Sequence, residues 1–453
     1  MEIKKNAVYE VAVTDLSSEC SGVGKVDGFT VFCPGMLPGE TGSVKIIKLS
    51  TNYAIGKCLE IHEKSPHKRE PFCEVFNSCG GCSLANMEYS ATLQYKQKRV
   101  TDCIERIGKI KDLPVKDITG MEEPFKYRNK AIYQVGCEQD RLVSGFYAKG
   151  SHRVVPVNSC AIQAESADRI RLLVVEFLNS QKIAVYDEIT KTGLVRAVML
   201  RTSFYTGQNM LVIVINGKSI PCKKELIEFV RSIPDVKSLY LNINTDDTNV
   251  VLGETFIHIW GETKLPDKLG KLNFYLSPQS FLQVNPVQTV KLYDTVCDFL
   301  GVSGDDVLVD LYCGVGTIGL YCAGSVKKVF GVEIVPQAVR DARQNAVLNN
   351  VSNAEFIQGD AASGFNDVLE RGFVPTTVVL DPPRKGCDSG LLELVVNSAV
   401  QKVIYVSCDP ATLARDLKAF VTAGFLLENV QPIDMFPWTA HVETIVSLQR
   451  RNT

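Results

Sequence analysis

The sequence lacks an excess of charge of either sign: 49 Lys and Arg stand against 51 Asp and Glu, a formal net charge of −2. A polyanionic partner must therefore be met by a local basic patch, because the field of the whole chain will not attract it. The sequence also lacks any apolar run approaching the roughly 18 residues of a membrane span. Its first residues, MEIKKNAVYEV, are charged and already alternating, with no apolar leader, so a cytoplasmic protein is expected. With 45% hydrophobic and 22% charged residues, 33 Gly and 19 Pro in 453 residues, disorder and low complexity are excluded as the main theme. At about 150 residues per domain, the length implies two or three domains.

Cysteine, by contrast, is abundant: 15 residues, an odd number that leaves one over from any complete pairing. In a reducing compartment these are free thiols, some of them ligands or nucleophiles. Cys33, Cys58, Cys137, Cys222, Cys297 and Cys322 sit singly among apolar residues and read as small core hydrophobes.

Residues 1–64 carry short alternating runs (VYEVAVTDL, FTVFCPG, GSVKIIKL, NYAIGKCLEI) broken by Gly and Pro, which predicts a small closed barrel of OB type. A polar connector, SPHKREP, opens a central domain assigned to 65–270. Within it, Leu93, Val100, Ile104 and Ile107 recur at helical spacing, predicting a helix over 91–110 that can pack on the C-terminal domain. Strands and turns return over 125–265 around one helix near 165–180, an α+β pattern. From 271 to 453, five short apolar strands (DDVLVDLYCG, KVFGVEI, AEFIQGD, TTVVLDPP, KVIYVSCDP) alternate with helical stretches. That alternation predicts an α/β fold: a doubly wound, Rossmann-like parallel sheet whose ligands sit beyond the carboxyl ends of the strands.

Each of those strand ends carries distinctive chemistry. The first runs into Asp310-Leu-Tyr-Cys-Gly314-Val-Gly316-Thr-Ile-Gly319, where glycines let the backbone approach a ligand. This spacing alone fits a dinucleotide as well as S-adenosylmethionine. Glu333 ends the second strand, placed to accept from ribose hydroxyls, and Asp360 ends the third, placed for an adenine amino group. Asp381-Pro-Pro-Arg384 ends the fourth. Singly, each reads equally well as a turn or helix cap. In register they point to S-adenosylmethionine and methyl transfer, because the D-P-P turn has no role in hydride transfer. The fifth strand ends in Ser407-Cys408-Asp409-Pro410. A thiol facing the cleft can add to C6 of a pyrimidine and make C5 nucleophilic enough to take a methyl group. A base must then remove the C5 proton; Glu443 is the candidate, with Asp434 and His441 as rivals.

A second chemical cluster lies at Cys73, Cys79 and Cys82, three thiols within ten polar, Gly-rich residues, with Cys160 the natural fourth ligand. Their spacing fits tetrahedral zinc and an iron–sulfur cluster alike.

DLYCGVGTIGL, VLDPPRKG, VIYVSCDPATLARDL and the terminal HVET, with Ser277–Pro286 and Tyr127–Lys130, resemble the RNA uracil-C5 methyltransferases of the RumA/TrmA family over essentially the whole chain. The resemblance implies Cys408 as nucleophile and Glu443 as the proton-abstracting base. It implies Gln283, Tyr312, Glu333 and Asp381 as contacts of S-adenosylmethionine, with Gln283 and Asp381 also close to the target base. It further implies a [4Fe-4S] cluster on Cys73, Cys79, Cys82 and Cys160, zinc being the lesser occupant. The stretch GVGKVDGFTVFCPGMLPGE resembles a TRAM domain, with Lys25, Phe29, Phe32 and Lys45 as candidate RNA contacts. Lys126, Arg128 and Lys130 form a basic stripe suited to phosphates. By resemblance the substrate is 23S rRNA, with tRNA the rival, and the target base must be splayed out to reach Cys408. No protein partner and no membrane contact are implied. Asp409 stands where the family more often has Asn, a carboxylate expected to raise the thiol pKa. The alternative of another class, a non-catalytic iron–sulfur RNA-binding protein, requires Cys408, Glu443 and the cofactor carboxylates to be coincidental.

Overall fold

Alternation closes the first strands on themselves. In β1 (Val8–Leu16), Val11 and Val13 are buried while Glu10, Ala12 and Thr14 face out. With β2 (Ser21–Val26), β3 (Phe29–Pro34), β4 (Thr41–Leu49) and β5 (Tyr53–Glu63) it forms a closed barrel in the order β1-β2-β3-β5-β4. A Cβ at Gly56 would come within 2.1 Å of Val44, so the barrel wall closes there only around glycine. The computed structural model describes residues 3–301 and 304–451, and none of its helices is long and apolar enough to cross a membrane.

Helix α1 (Tyr89–Arg106) stops a turn short of the predicted end; Gly108 follows, and Ile107 is 43% exposed. Its inner face, Val100 and Ile104, joins the core of the C-terminal sheet. Beyond α1, Val115 and Thr119 bridge in parallel to Val430 and Ile433, so this stretch covers an edge of that same sheet. The chain from 89 to 119 therefore packs with the C-terminal unit, although it lies within the expected central span.

The central sheet contains β6 (Lys130–Glu138), β7 (Arg141–Tyr147), β8 (Val154–Pro156), β9 (Val195–Thr202), β10 (Asn209–Ile215), β11 (Val236–Ile243) and β12 (Thr255–Gly261), ordered β12-β11-β10-β9-β6-β7-β8. Helices α2 (Glu165–Ser180) and α3 (Lys223–Arg231) pack on it; Ile170 and Val174 of α2 and Leu226 of α3 share a core with Leu200 and Leu211. The hairpin β13 (Leu265–Leu269) and β14 (Leu272–Leu276) turns at Gly270. Leu265 and Leu276 pack with Met199 and Met210 of the central sheet, whereas Leu269, Leu272 and Phe274 pack with Leu292 and Tyr293 of the next helix. The expected boundary at 270 is thus the tip of a hairpin shared by both units rather than a linker.

The C-terminal unit runs α4 (Pro286–Leu300), β15 (Val307–Leu311), α5 (Thr317–Cys322), β16 (Lys328–Glu333), α6 (Pro336–Leu348), β17 (Ala354–Gln358), α7 (Ala361–Glu370), β18 (Thr377–Leu380), α8 (Ser389–Asn397), β19 (Lys402–Ser407), α9 (Pro410–Thr422), β20 (Phe425–Ile433) and β21 (Glu443–Arg450). The sheet order is β17-β16-β15-β18-β19-β21-β20, with only β21 antiparallel to its neighbours. Its strands are apolar nearly throughout because both faces are covered. Val309, Val378 and Val403 pack with α1 and α7–α9, while Leu308, Val379 and Ile404 pack with α4–α6. The strand order reverses at β15 and β18, which opens a crevice at their carboxyl ends.

One buried ion pair ties these parts together. The Lys96 ammonium, fully buried, donates to Asp434 at 2.5 Å and to the Phe436 carbonyl at 3.0 Å; the Tyr89 hydroxyl donates to the other Asp434 oxygen at 2.8 Å. Lys96→Met leaves a buried carboxylate uncompensated, and the expected loss of unfolding free energy by chemical denaturation is about 3–5 kcal/mol. The double variant Lys96→Met, Asp434→Leu is expected to recover most of it.

Candidate active site and cysteine cavity

The crevice is built by a sharply turning loop. Tyr312, Gly314 and Gly316 have φ of 66°, 56° and 79°, and Tyr312 adopts the left-handed region without being glycine. The space that a Cβ would take at Gly314 is open. Glu333 fastens the loop, accepting from the Gly314 amide at 3.0 Å and from the Val335 amide at 2.8 Å. Beneath it, fully buried Asp310 accepts from the Gly319 amide at 2.8 Å through one oxygen, and its other oxygen has no partner. Burial, together with nearby Asp381 and Glu333, pushes the Asp310 carboxyl up to about 7. Asp310 was not among the predicted site residues; its place at the strand end before the glycines was the available signal.

Asp381, at the end of β18, is likewise pushed up to about 7 by burial. Tyr312 is half-buried, its phenol pushed up by burial and then by Cys387. Gln283 lies on the segment between β14 and α4, its carbonyl accepting from the Asn129 side chain at 3.1 Å. Asp360, the expected adenine contact, stands two residues after the end of β17. It is the N-cap of α7, with one oxygen accepting from the Ala362 and Ser363 amides and the other from the Ser363 hydroxyl at 2.5 Å. Those bonds hold its pKa below the usual carboxylate value.

Cys408 leaves the end of β19, and Glu443 begins β21. Because β21 runs antiparallel, its first residue lies at the carboxyl ends of the parallel strands. Burial pushes the Cys408 thiol up to about 11, Glu443 and Asp381 push it further, and Arg384 opposes them. Glu443 is pushed up to about 8 by burial and then by Asp381, again with Arg384 opposing. Nucleophile, carboxylates and guanidinium thus form one coupled group. The expected contribution of Asp409 to the thiol is not what raises it: Asp409 caps α9, accepting from the Ala411 and Thr412 amides at 2.9 and 3.0 Å. Of the rival bases, Asp434 is held by Lys96 and Tyr89. His441 is pushed down to about 4 by burial and by Arg384, too weak a base to compete.

The connection 434–442 sets where Glu443 stands, and its carbonyls are fastened one after another. Gln288 donates to the Asp434 carbonyl at 3.1 Å and Asn285 to Met435 at 3.0 Å. Lys96 reaches Phe436, and Tyr127 reaches Pro437 at 3.1 Å. The amides of Ser83 and Leu84 share the Trp438 carbonyl at 2.9 and 3.0 Å, and Arg99 donates to Ala440 at 2.7 Å.

Cys73, Cys79, Cys82 and Cys160 line one cavity of about 460 Å³ together with Arg128, Lys130, Arg201 and Phe281. Burial pushes Cys82 up to about 12, with Cys160, Cys79 and Cys73 its next influences. Cys160 is set by α2, its amide donating to Asp168 at 2.6 Å. The Nε atoms of Arg128 and Arg201 and the Gln163 amide oxygen are buried at this cavity without partners. Burial and the Arg201 charge push Lys130 down to about 8. The basic stripe expected to meet phosphates therefore turns toward the thiols: Arg128 and Lys130 line the cavity, and the Lys126 ammonium donates to the Cys160 carbonyl at 3.2 Å. Among the described residues, no three His, Cys, Asp or Glu side chains converge closely enough to hold a single metal ion.

On the barrel, Lys25 is exposed, Lys45 is half-buried, and Phe32 sits edge-on to Tyr53 with centroids 5.5 Å apart. Phe29 packs against the barrel core instead. Tyr53 was not predicted; its position opposite Thr30, two residues from Phe32's partner Ile55, appears only with the strand register.

The three raised carboxyls make stability depend on pH. Glu443, Asp381 and Asp310 hold protons more tightly folded than unfolded, so their contribution is full below pH 4 and is lost as pH rises through 7 to 8. The melting temperature of the ligand-free protein is expected to fall between pH 5 and 8 by calorimetry. Glu443→Gln is expected to flatten the upper part of that decline and to melt higher than the wild type at pH 8.

The sequence profile of the tRNA (Uracil-5-)-methyltransferase family matches residues 88–451, and that of the TRAM domain matches residues 3–59. An uncharacterized RNA methyltransferase of Halalkalibacterium halodurans is 44% identical over 99% of this chain and 98% of its own length. Another, of Clostridium acetobutylicum, is 42% identical over the same shares. Among solved structures, the tRNA (uracil-54, C5)-methyltransferase of Pyrococcus abyssi, in complex with S-adenosyl-L-homocysteine, covers 97% of this chain and 100% of its own with a TM-score of 0.76. At 24% identity that likeness shows the fold: an α/β methyltransferase preceded by a small β-barrel. The chain therefore belongs to the tRNA (Uracil-5-)-methyltransferase family and is an RNA methyltransferase with an N-terminal TRAM domain.

Proposed function

We propose that this protein methylates C5 of uracil in RNA in the cytoplasm, with 23S rRNA as its substrate. The observation that carries the chemistry is the coupled group of Cys408, Glu443, Asp381 and Arg384 at the strand ends. Coincidence does not account for a thiol, a buried carboxylate and a guanidinium sharing one crevice, so a purely RNA-binding role is disfavoured. The choice of 23S rRNA rests on the RumA-like residues of the cysteine segment and barrel. The family profile's description favours tRNA as the second reading.

S-adenosylmethionine, when bound, supplies the methyl group as an electrophile. The open face at Gly314, the Glu333 carboxylate at its rim and the unpartnered Asp310 oxygen fit such a ligand beside Tyr312, Asp381 and Gln283. Cys408 forms an S–C6 bond with the splayed uracil, and the electron pair of the C5–C6 double bond becomes available at C5. Arg384 is the neighbour that favours the thiolate. After methylation, Glu443 takes the C5 proton; the C–H electron pair restores the double bond and the C6–S bond breaks to release the thiolate. Burial and Asp381 raise the proton affinity of Glu443, which makes its ionised form a stronger acceptor than an exposed carboxylate.

A [4Fe-4S] cluster on Cys73, Cys79, Cys82 and Cys160 belongs to the same proposal, and when bound it supplies structure and local negative charge. What supports it is the lining: the four cysteines share one cavity with Arg128 and Arg201, each of which has a buried Nε–H without a partner.

Tritium release from RNA labelled at uracil C5 tests the reaction and substrate together. Release is expected only with S-adenosylmethionine, and from 23S fragments rather than tRNA. Cys408→Ala is expected to reduce release to background. Release from tRNA alone overturns the substrate, and release from neither RNA overturns the enzyme.

A further inference from the structure

We propose that Trp438 is the positioning residue through which the four-cysteine cavity sets the place of Glu443. The inference rests on Glu443 being the proton-abstracting base. Trp438 is 1% exposed and has φ of 67°, a left-handed conformation that a bulky residue keeps only when its surroundings impose it. Two sets of contacts do so here. Its indole N–H donates to the Pro124 carbonyl at 2.8 Å, and its ring packs with Phe72, Tyr89 and Phe125 at centroid distances of 5.0, 5.1 and 5.4 Å. Cys82 and Cys160 pack against the same cluster. Its carbonyl is held by the amides of Ser83 and Leu84, the two residues that follow Cys82.

Fixing Cys82 to a shared group therefore fixes Ser83 and Leu84, and they fix the Trp438 backbone. Five residues on, with the Ala440 carbonyl tied to Arg99, the chain delivers Glu443 beside Cys408. Emptying the cavity frees that loop and, with it, one end of the connection; the Lys96–Asp434 pair at the other end stays closed. Displacing a catalytic group by about 1 Å can cost on the order of 10²-fold in rate. Because Glu443 acts only after the methyl group has been transferred, the lesion has its own signature: the methylated Cys408–RNA adduct forms but is not resolved.

The test uses the full-length protein with its cysteine-bound group. With ordinary RNA, Trp438→Ala is expected to lower kcat about 10²-fold, to leave the KM for RNA within about twofold, and to accumulate the methylated adduct. On 5-fluorouracil RNA, where no C5 proton exists to be removed, it is expected to form adduct at the wild-type rate. Trp438→Phe, which keeps a buried ring, is expected to resolve the adduct nearly as the wild type does.

Trp260 and Trp438 are the two tryptophans, so a Trp260→Phe background reports Trp438 fluorescence alone. Stripping the cysteine-bound group with a chelator is expected to raise acrylamide quenching of that fluorescence and to reproduce the adduct accumulation. Unchanged quenching, or resolution of the adduct at the wild-type rate by Trp438→Ala, overturns the proposal. A wild-type enzyme that forms no adduct on 5-fluorouracil RNA overturns the underlying chemistry instead.

Discussion

Between β20 and β21, the carbonyls of residues 434–438 and 440 accept hydrogen bonds from α1, from the start of α4, from Tyr127 and from the loop after Cys82. A buried carbonyl without a donor costs about 1–3 kcal/mol, so these bonds are requirements of burying the connection. The donors come from four separate stretches of chain, and meeting all of them at once brings α1 and the cysteine segment against the C-terminal sheet. The placement of Glu443 follows from that assembly. The Lys96–Asp434 pair beside it is fully buried, and its charge makes the arrangement intolerant of slippage.

Electrostatics at the two sites are complementary. The crevice gathers Asp310, Asp381 and Glu443 away from water, so the ligand-free protein holds protons there that the unfolded chain would release near pH 4. The cysteine cavity gathers Arg128, Lys130 and Arg201, with guanidinium N–H groups left unpartnered. One site gathers buried carboxyls and the other buried cations. The segment between β14 and α4 borders the second through Phe281 and Leu282.

Legibility in the sequence followed the range of the interactions. Strands with period-two burial, such as β1, and strands apolar on both faces, such as β15 and β18, are read from neighbouring residues. Glycines at 314 and 316 and caps such as Asp409 are equally local. Misplaced features depended on partners far along the chain. Arg128 and Lys130 alternate with other residues as surface cations do, yet the fold turns them inward to four thiols. Lys96, on a helix with an apolar seam, gives no local sign that its charge is buried 338 residues away from its partner in sequence.

The sequence by itself determined the element types, the glycine turn after β15 and the close spacing of Cys73, Cys79 and Cys82, because each depends on residues near one another in the chain. Only the tertiary structure decided how the three candidate bases are surrounded. Asp434, His441 and Glu443 lie within ten residues, and in the sequence only the family resemblance separates them. In the fold, Asp434 is neutralised by Lys96, His441 is surrounded by cations, and Glu443 is buried beside a thiol with its proton affinity raised. Protonation is set by the charges and the solvent around a group, and these are properties of the packed chain.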